Sequence, residues 1–257
     1  MESVMSPQSL IQGQSTPEIR WRPWLQQHLS RPEPFAQWLP DTARLVVLAP
    51  HPDDEVLACG ALLALHAARG GDSLIVAVTD GEASHRDAQN HSRDHELSLA
   101  ETRCAERAHG LRALDLGAEH LTSLHLPDGH VRQHETELVR RVTGMLRPSD
   151  VIVSPWRFDG HPDHDACGRA AARASAATGC ALWEAPIWMW HWARPNDSRV
   201  PWMRMQALAI SHAACASKQA ALAAHVSQLT PRGDRFGAVL DVAIVARAAR
   251  RAEYFFV

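Results

Sequence analysis

The sequence predicts an α/β protein in which a mostly parallel, doubly wound sheet carries helices on both faces. Short apolar runs rich in β-branched residues alternate with longer segments of helical spacing, and the alternation begins at Leu45. This order is typical of strand, helix, strand units that build a parallel sheet. A chain of 257 residues is long enough to bury one large core of this kind.

The predicted elements follow one another regularly through the first two thirds of the chain. Continuous apolar runs predict buried strands at 44–49, 73–79, 121–126 and 151–155. Helical spacing predicts helices at 55–69, which Gly70-Gly71 closes, at 96–108, at 135–146 before Pro148, and in the Ala-rich stretch that ends near 178. The last third is less regular, with strand-like runs at 205–210 and 239–245 around a helix at 213–226.

The chain divides into an N-terminal extension, residues 1–40, and a domain that spans residues 41–257. The extension is polar, rich in Gln, Pro and Trp, and has no clean period. Its tryptophans, Trp21, Trp24 and Trp38, are costly to leave in water, so we expect its later half to pack on the domain. We expect the first fifteen or so residues to be mobile.

Composition and charge exclude several classes of function. A net charge of −3 and an isoelectric point near 6.6 give no basic surface for nucleic acid or for an anionic membrane. The five cysteines are widely spaced, which argues against a disulfide framework and a thiolate zinc site. With no signal-like N-terminus and no apolar run near the roughly 20 residues that span a bilayer, we expect a cytoplasmic protein. Its oligomeric state stays open.

A charged cluster directly follows the first predicted strand. His51, Asp53, Asp54 and Glu55 lie within five residues, where the strand turns into a helix. In a parallel sheet this turn lies at the carboxyl end of the strand, where such folds bind ligands. The alternative is that the carboxylates only complement the dipole at a helix N-terminus.

A second cluster, His161-Pro162-Asp163-His164-Asp165, also follows a buried strand and opens a helix. Because both turns emerge on the same edge of the sheet, the two clusters can meet in space. His51, His164 and an aspartate of the first cluster would supply the two imidazoles and one carboxylate of a catalytic zinc site. Spacing alone leaves open whether Asp53 or Asp54 binds the metal.

Attack of a zinc-bound water on a carbonyl needs two further groups, a base for the water and a donor for the oxyanion and the leaving group. The residues left over are an aspartate of the first cluster and His161, and Asp163 could hold His161 charged and oriented. Taken singly, each of these histidines is more often structural than functional. Two matched clusters at equivalent turns reverse that expectation.

Both clusters resemble the signatures of the PIG-L/LmbE-type zinc-dependent N-deacetylases. The first carries the family's H-P-D-D-E core at 51–55, with Pro50 between Ala49 and the histidine, and the second matches D-x-H-P-D-H at 159–164. Weaker marks occur at Thr79-Asp80-Gly81-Glu82, at Arg103-x-x-Glu106, at 218–228 and at Glu253-Tyr254-Phe255. The resemblance covers about residues 44–257.

The resemblance implies a Rossmann-like fold and hydrolysis of an N-acyl group, usually acetyl, from a 2-amino sugar or sugar conjugate. It implies one zinc ion per chain on His51, Asp54 and His164, which other divalent metals could replace. It also implies Asp53 as the general base and His161, supported by Asp163, as the electrophilic partner.

Two further residues are candidates for substrate binding. The resemblance puts Arg103 near the substrate side of the pocket, and Asp128 follows the third predicted strand as a possible hydroxyl acceptor. The alternatives are a helix-surface ion pair for Arg103 and a turn residue for Asp128. The Trp-rich segment 188–192 could either stack on a sugar or belong to the core.

Other functions are compatible with parts of the pattern. The same residues could serve a zinc hydrolase of another acyl-amine metabolite, or a metal-binding module without catalysis. The second is disfavoured because a mere metal site needs neither Asp53 nor His161. Nucleotide binding and serine hydrolysis are disfavoured because no G-x-G-x-x-G, P-loop or G-x-S-x-G motif follows a predicted strand.

Overall fold

The computed structural model describes residues 15–29, 32–84, 92–231 and 237–257. The strands of these residues are β1 (Leu45–Ala49), β2 (Ser73–Ala77), β3 (Leu121–Ser123), β4 (Val151–Pro155), β5 (Ala181–Ala185), β6 (Met205–Ala209) and β7 (Ala252–Phe256). The helices are α1 (Glu18–His28), α2 (Phe35–Trp38), α3 (Asp54–Ala68), α4 (Arg93–Ala113), α5 (Glu135–Thr143), α6 (Pro162–Thr178), α7 (Met189–Trp192), α8 (His212–Ala223), α9 (Val226–Leu229) and α10 (Val242–Ala248).

The strands form one sheet in the order β3-β2-β1-β4-β5-β7-β6. Strands β1 to β5 pair in parallel, whereas β7 is antiparallel to both β5 and β6. The prediction of a mostly parallel α/β sheet is therefore confirmed. The strand order reverses between β1 and β4, and ligands bind at such switch points in doubly wound sheets.

Helices cover both faces of the sheet, because alternate residues of the central strands point to opposite sides. On β1, Leu45 and Val47 belong to the core beneath α3, α4 and α8, whereas Val46 and Leu48 belong to the core beneath α5 and α6. All five β1 residues are buried, as a parallel strand covered on both faces requires.

The described part of the N-terminal extension packs on the domain. Trp21 and Trp24 are buried in a third cluster at the β6–β7 edge, where Trp21 makes an edge-on contact with Trp190 at 4.9 Å between ring centroids. Glu33 continues the sheet by a parallel bridge to Leu208. Residues 1–14, which make up nearly all of the stretch that we expect to be mobile, lie outside the described residues.

The last third differs from the prediction in two places. Residues 239–245 were predicted as a strand, but α10 begins at Val242, because the Asp241 carboxylate accepts hydrogen bonds from the backbone N–H groups of Ala243 and Ile244 and caps a helix. Strands β5 and β7 were not predicted, since a Trp-rich end and a charged residue obscure their apolar pattern. None of the described helices has the length and apolar character that crossing a bilayer requires.

Helix α3 is interrupted at Cys59, and Glu253 of β7 accepts hydrogen bonds from the helix backbone just after the interruption. Cys59 has non-helical backbone angles (φ −151°, ψ 29°), and the N–H groups of Ala61 and Leu62 donate to the Glu253 carboxylate at 2.9 and 2.8 Å. Lys218 neutralises that carboxylate at 2.7 Å. The first turn of α3 can thus be oriented separately from the rest of the helix.

Candidate active site

The two predicted clusters meet at the switch point of the sheet. The chain leaves β1 through residues 50–53 and enters α3, and it leaves β4 through residues 156–161 and enters α6. Because β1 and β4 are adjacent parallel strands, both turns open onto the same crevice.

Three side chains form a candidate set of metal donors. His51 Nδ1 lies 3.0 Å from Asp54 Oδ2, and His164 Nε2 lies 3.1 Å from the same oxygen. The candidate ligand atoms of the three residues lie within 4.8 Å of one another. Two imidazole nitrogens and one carboxylate are the donor types of catalytic zinc sites.

His164 is prepared to be a ligand by its other nitrogen. Its Nδ1 lies 2.8 Å from Asp159 Oδ2 and donates to it, so Nε2 is the nitrogen that can bind a metal in place of a proton. Among the described residues, Nε2 has no partner with hydrogen-bond geometry although it is fully buried. A buried, unsatisfied imidazole nitrogen aimed at a carboxylate oxygen fits a metal ion.

The electrostatics of the site favour a cation. Burial alone would lower the pKa of both imidazoles, yet Asp128, Asp163 and Asp54 raise the pKa of His51 well above its usual value. Asp54 and Asp159 likewise raise the pKa of His164 to about 9 against the effect of burial. Carboxylates that hold protons on both rings would equally stabilise a divalent metal in their place.

A second group of three donors, His51, His161 and Asp163, lies beside the first and shares its histidine. Both oxygens of its carboxylate are already engaged by backbone donors. The Asp163 carboxylate accepts from the backbone N–H groups of Gly129 and Val131 at 2.8 and 3.1 Å. The set that contains Asp54 therefore fits a metal better.

Asp53 lies at the crevice with a strained backbone. Its φ of 123° is a conformation that side chains other than glycine rarely adopt, and such strain is typical of functional sites. Burial raises the pKa of Asp53 to about 7, against the opposing effect of Arg103. The carboxyl group thus exchanges its proton near neutral pH, as a general base must.

Arg103 is buried and donates a hydrogen bond to the Asp53 carboxylate. Its guanidinium donates to the Gly81 and Pro52 carbonyls, both at 2.9 Å, and to Asp53 Oδ2 at 3.3 Å. A Cβ atom on Gly81 would lie 2.2 Å from Arg103 Nη1, so only glycine leaves room for this contact. The helix-surface ion pair considered for Arg103 is excluded, because the residue is buried.

The expected pairing of the Asp163 carboxylate with His161 is wrong. The carboxylate hydrogen bonds instead to His51 Nε2 at 3.3 Å and to the 129–131 backbone, whereas the Asp163 N–H donates to His161 Nδ1 at 3.2 Å. Burial, together with the neighbouring His164 and His51, lowers the pKa of His161 to about 3. His161 is therefore neutral, with Nδ1 as acceptor and its N–H on Nε2.

Asp128 is a site residue rather than a simple turn residue. Its Oδ1 lies 3.2 Å from His51 Nε2, and its Oδ2 accepts from the Ala83 N–H at 2.8 Å. Burial would raise the pKa of Asp128, but His51 and the neighbouring cation Arg103 hold it well below the usual value. The carboxylate is thus ionised at the pocket wall.

The crevice is a cavity of about 280 Å³. Its lining combines the residues above with Leu57, Ala83, Ser84, Gly129, Trp188, Gln228, Val239 and Leu240. A larger groove of about 610 Å³ lies between α2 and β6, but it contains none of the clustered residues.

The Trp-rich segment divides between pocket and core. Trp188 lines the cavity and stacks on His161, with ring centroids 6.3 Å apart. Trp190 is buried in the edge cluster, and Trp192 packs beside it and donates from Nε1 to the Asp159 carbonyl at 2.7 Å. The hypothesis that this segment lines the pocket therefore holds for Trp188 alone.

Asp159 is the residue whose role the sequence did not reveal. Besides His164, its carboxylate accepts from the N–H groups of Ile187, Trp188 and Met189, each at 2.9 Å. Asp159 thereby positions both the candidate metal ligand His164 and the backbone of the 187–189 segment, which carries Trp188. Its place at the start of the D-x-H-P-D-H signature was the available signal. No signal in the sequence pointed to Val239 and Leu240, which also line the cavity.

The comparisons with known proteins decide the family. The profile described as "PIG-L: GlcNAc-PI de-N-acetylase" matches residues 46–175, half of the chain. This chain belongs to the PIG-L family. Both turns of the site lie within the matched residues, so the family signature and the crevice coincide.

Named relatives of this PIG-L protein are deacetylases. The 1D-myo-inositol 2-acetamido-2-deoxy-alpha-D-glucopyranoside deacetylase of Mycobacterium sp. (strain KMS) is 30% identical over 171 residues, which cover 57% of this chain and 54% of the relative. The enzyme of the same name from Mycolicibacterium smegmatis is 26% identical over 252 residues, which cover 79% and 87%. The chain thus spans about half the length of the first of these relatives.

The fold of this PIG-L protein also occurs in solved structures. A conserved protein from Thermus thermophilus superposes with a TM-score of 0.59 at 26% identity, covering 83% of this chain and 93% of that one. The likeness supports the α/β fold.

Proposed function

We propose that this protein is a metal-dependent N-deacetylase that hydrolyses an N-acetyl group from a 2-amino sugar conjugate. The observation that carries the proposal is the meeting of His51, Asp54 and His164 with Asp53 and His161 around one cavity. A binding module without catalysis would need the three donors but not the other two residues.

A divalent metal such as zinc on His51, Asp54 and His164 would acidify a bound water and polarise the amide carbonyl. Asp53 is the residue of the chain that accepts the proton of the attacking water. The hydrogen bond from Arg103 keeps the Asp53 carboxylate turned towards the crevice, and the strained backbone of Asp53 fixes the direction of the side chain. Because the pKa of Asp53 is raised by burial, the same carboxyl can pass that proton to the leaving amine nitrogen.

His161 stabilises the oxyanion as a neutral donor. The Asp163 N–H occupies Nδ1, so the proton on Nε2 is free to donate to the carbonyl oxygen as it gains charge. A metal at the adjacent donors would repel an additional positive charge on this ring. The neutral form is therefore the working form, in contrast to the charged imidazole expected from the sequence.

The walls of the cavity fit a sugar substrate. Asp128, Ser84 and Gln228 supply polar groups for sugar hydroxyls, and Trp188 supplies an aromatic ring for stacking. The family description and the relatives' names share an N-acetylglucosaminyl inositol unit. We therefore propose an N-acetylglucosamine glycoside as the substrate class and zinc as the resident metal.

The test is release of free amine by the metal-loaded protein. N-acetylglucosamine, its inositol glycoside and N,N'-diacetylchitobiose are compared with N-acetylated amino acids as the non-sugar control. We expect amine from at least one sugar conjugate, loss of activity on chelation and recovery with zinc. If the metal-loaded protein releases amine from none of the sugars, the proposed function is wrong.

A further inference from the structure

A buried ion pair lies at the interruption of α3. Lys218 of α8 and Glu253 of β7 are each 3% exposed, and Lys218 Nζ lies 2.7 Å from Glu253 Oε1. Both residues belong to the weaker signatures of the sequence, at 218–228 and at 253–255. The mechanism proposed above uses neither of them, so the pair is buried at this place without taking part in the chemistry.

The ion pair takes the place of a helical hydrogen bond. In a regular helix the Leu57 carbonyl would accept from the Ala61 N–H, four residues later. At the interruption, the Leu57 carbonyl accepts from the Lys218 ammonium at 3.1 Å. The N–H groups of Ala61 and Leu62 donate to the Glu253 carboxylate at 2.9 and 2.8 Å. The pair therefore links the first turn of α3 to the remainder of the helix.

Leu57 connects this pair to the crevice. Its N–H donates to the Asp53 carbonyl at 2.9 Å, and its side chain lines the catalytic cavity. Asp53 has the strained backbone, and Asp54 follows it as a candidate metal ligand. A path of hydrogen bonds thus runs from Lys218 through the backbone of Leu57 to Asp53.

Stability alone does not explain a buried pair at this position. Removing two charges from water is costly, and apolar residues of similar volume often stabilise a protein equally well or better. Apolar residues cannot, however, supply a donor for the Leu57 carbonyl and acceptors for the Ala61 and Leu62 N–H groups. Hydrogen bonds to charged groups are also short and strong, so they fix the direction of the backbone that they hold.

We propose that Lys218 and Glu253 are positioning residues, which fix the direction of the first turn of α3 and thereby the places of Asp53 and Asp54 in the crevice. The catalytic consequence rests on the proposed function. In the part of the chain that the structure describes, neither residue of the pair lines the catalytic cavity, so the pair acts through α3. A misplacement of about 1 Å caused far from the reacting atoms can lower a rate by about 10²-fold.

The first experiment combines Lys218→Met with Glu253→Gln, which removes both charges and nearly preserves volume. We expect kcat per folded chain at saturating zinc to fall by about 10- to 100-fold, because Asp53 is displaced. KM should stay unchanged, because the residues proposed to bind the sugar lie outside α3. The Kd for zinc, measured by competition with a chelator, should rise by about 10-fold, because Asp54 is displaced.

The matched control removes a buried ion pair at the other edge of the sheet. Arg44 and Asp150 directly precede β1 and β4, and Arg44 Nη2 lies 2.6 Å from Asp150 Oδ2. Arg44→Met combined with Asp150→Asn should lower Tm but leave kcat, KM and zinc affinity of the folded chain unchanged. An equal loss of kcat in both double variants would overturn the proposal. Normal kcat and zinc affinity in the folded Lys218 and Glu253 double variant would also overturn it.

The second experiment needs neither metal nor substrate. Amide hydrogen exchange of the metal-free chain follows the N–H groups of Val56 and Leu57, which both donate to the Asp53 carbonyl. Glu253→Gln alone is the milder variant, since its amide oxygen keeps an acceptor for α3. We expect these two amides to exchange about 10-fold faster in Glu253→Gln and at unaltered rates in the control. Unchanged exchange in Glu253→Gln would overturn the positioning role, whereas absence of amine release by the unaltered protein would refute only the proposed function.

Discussion

The turns after β1 and β4 occupy equivalent places in the sheet, yet they hold their side chains by different means. Each turn contains one residue with positive φ. In the second turn that residue is Gly160, at 94°, whereas in the first it is Asp53, at 123°. Glycine adopts such angles at no steric cost, but aspartate does not.

The different residues at the positive-φ positions match the different roles that we propose for the two turns, support in the second and reaction with substrate in the first. The second turn needs only to change direction, and its carboxylate, Asp159, acts through hydrogen bonds to His164 and to the 187–189 backbone. The first turn needs a carboxylate at the strained position itself, and Arg103 and the following helix hold it there. In the proposed mechanism, backbone strain is thus retained at the residue that acts as the base and avoided at the turn whose carboxylate only supports other residues.

The largest effect is expected from Asp54→Asn in the first turn. This change replaces a charged metal donor by a neutral one, so metal content and activity should fall together, the activity by about 10³-fold or more. Metal analysis of the purified protein and amine release measure the two losses. Asp94→Asn, the same change at an exposed position on α4, should leave both unaltered. An Asp54→Asn protein with normal metal content would refute the donor set.

Asp159→Asn tests the second turn. The amide NH₂ cannot accept the hydrogen bonds that both carboxylate oxygens now accept, so His164 and the 187–189 segment lose their common support. We expect metal affinity to fall by about 10- to 100-fold, as for other groups that orient metal-binding histidines. Competition with a metal chelator gives the affinity. An unchanged affinity would mean that His164 is positioned without Asp159.

Gly160→Ala should affect stability more than chemistry. A Cβ atom at φ 94° introduces strain of about 1–3 kcal/mol, which lowers Tm by about 2 to 4 °C per kcal/mol. Gly144→Ala is the control, since Gly144 has a helical φ of −67° and ordinary contacts, and its replacement should be neutral or stabilising. Equal Tm values for the two variants would remove the contrast between the turns.

The smallest effect is expected at Trp188, which the second turn holds through its backbone. Trp188→Ala should raise KM for a sugar substrate by about 10-fold with little change in Tm, because a stacking face is lost at the pocket mouth. Trp190→Ala is the contrasting variant, since loss of a buried tryptophan costs about 3–5 kcal/mol of stability. If Trp188→Ala lowers Tm as much as Trp190→Ala and leaves KM unchanged, Trp188 belongs to the core.

The sequence predicted the position of the site because its signals are local. Each cluster directly follows an apolar run, and the parallel sheet brings the ends of β1 and β4 to one edge without further information. Arg103 was harder to interpret, because its buried contact to Asp53 crosses 50 residues of sequence. Gly81, whose carbonyl accepts from Arg103, belongs to the weak signature at 79–82, but that signature does not reveal the contact.

What the sequence could not reveal depends on distant backbone. The Asp163 carboxylate turns to His51 because the loop at 129–131 offers two N–H groups there, and no local pattern encodes that loop. Strand β7 inserts antiparallel between β5 and β6, a long-range pairing that a short apolar run cannot specify. In α10, the β-branched residues favoured a strand, and the cap at Asp241 decided otherwise.

The most direct test of the account is Asp53→Asn, measured for metal content and for the pH dependence of kcat. Asparagine preserves size but cannot accept the proton of water, so we expect full metal content and a kcat reduced by about 10²-fold or more. In the unaltered protein, activity requires ionised Asp53 and should fall as pH drops through its pKa. That acid limb should be absent from the variant. Loss of metal from Asp53→Asn, or an unchanged kcat with the acid limb intact, would contradict the assignment of Asp53 as the base.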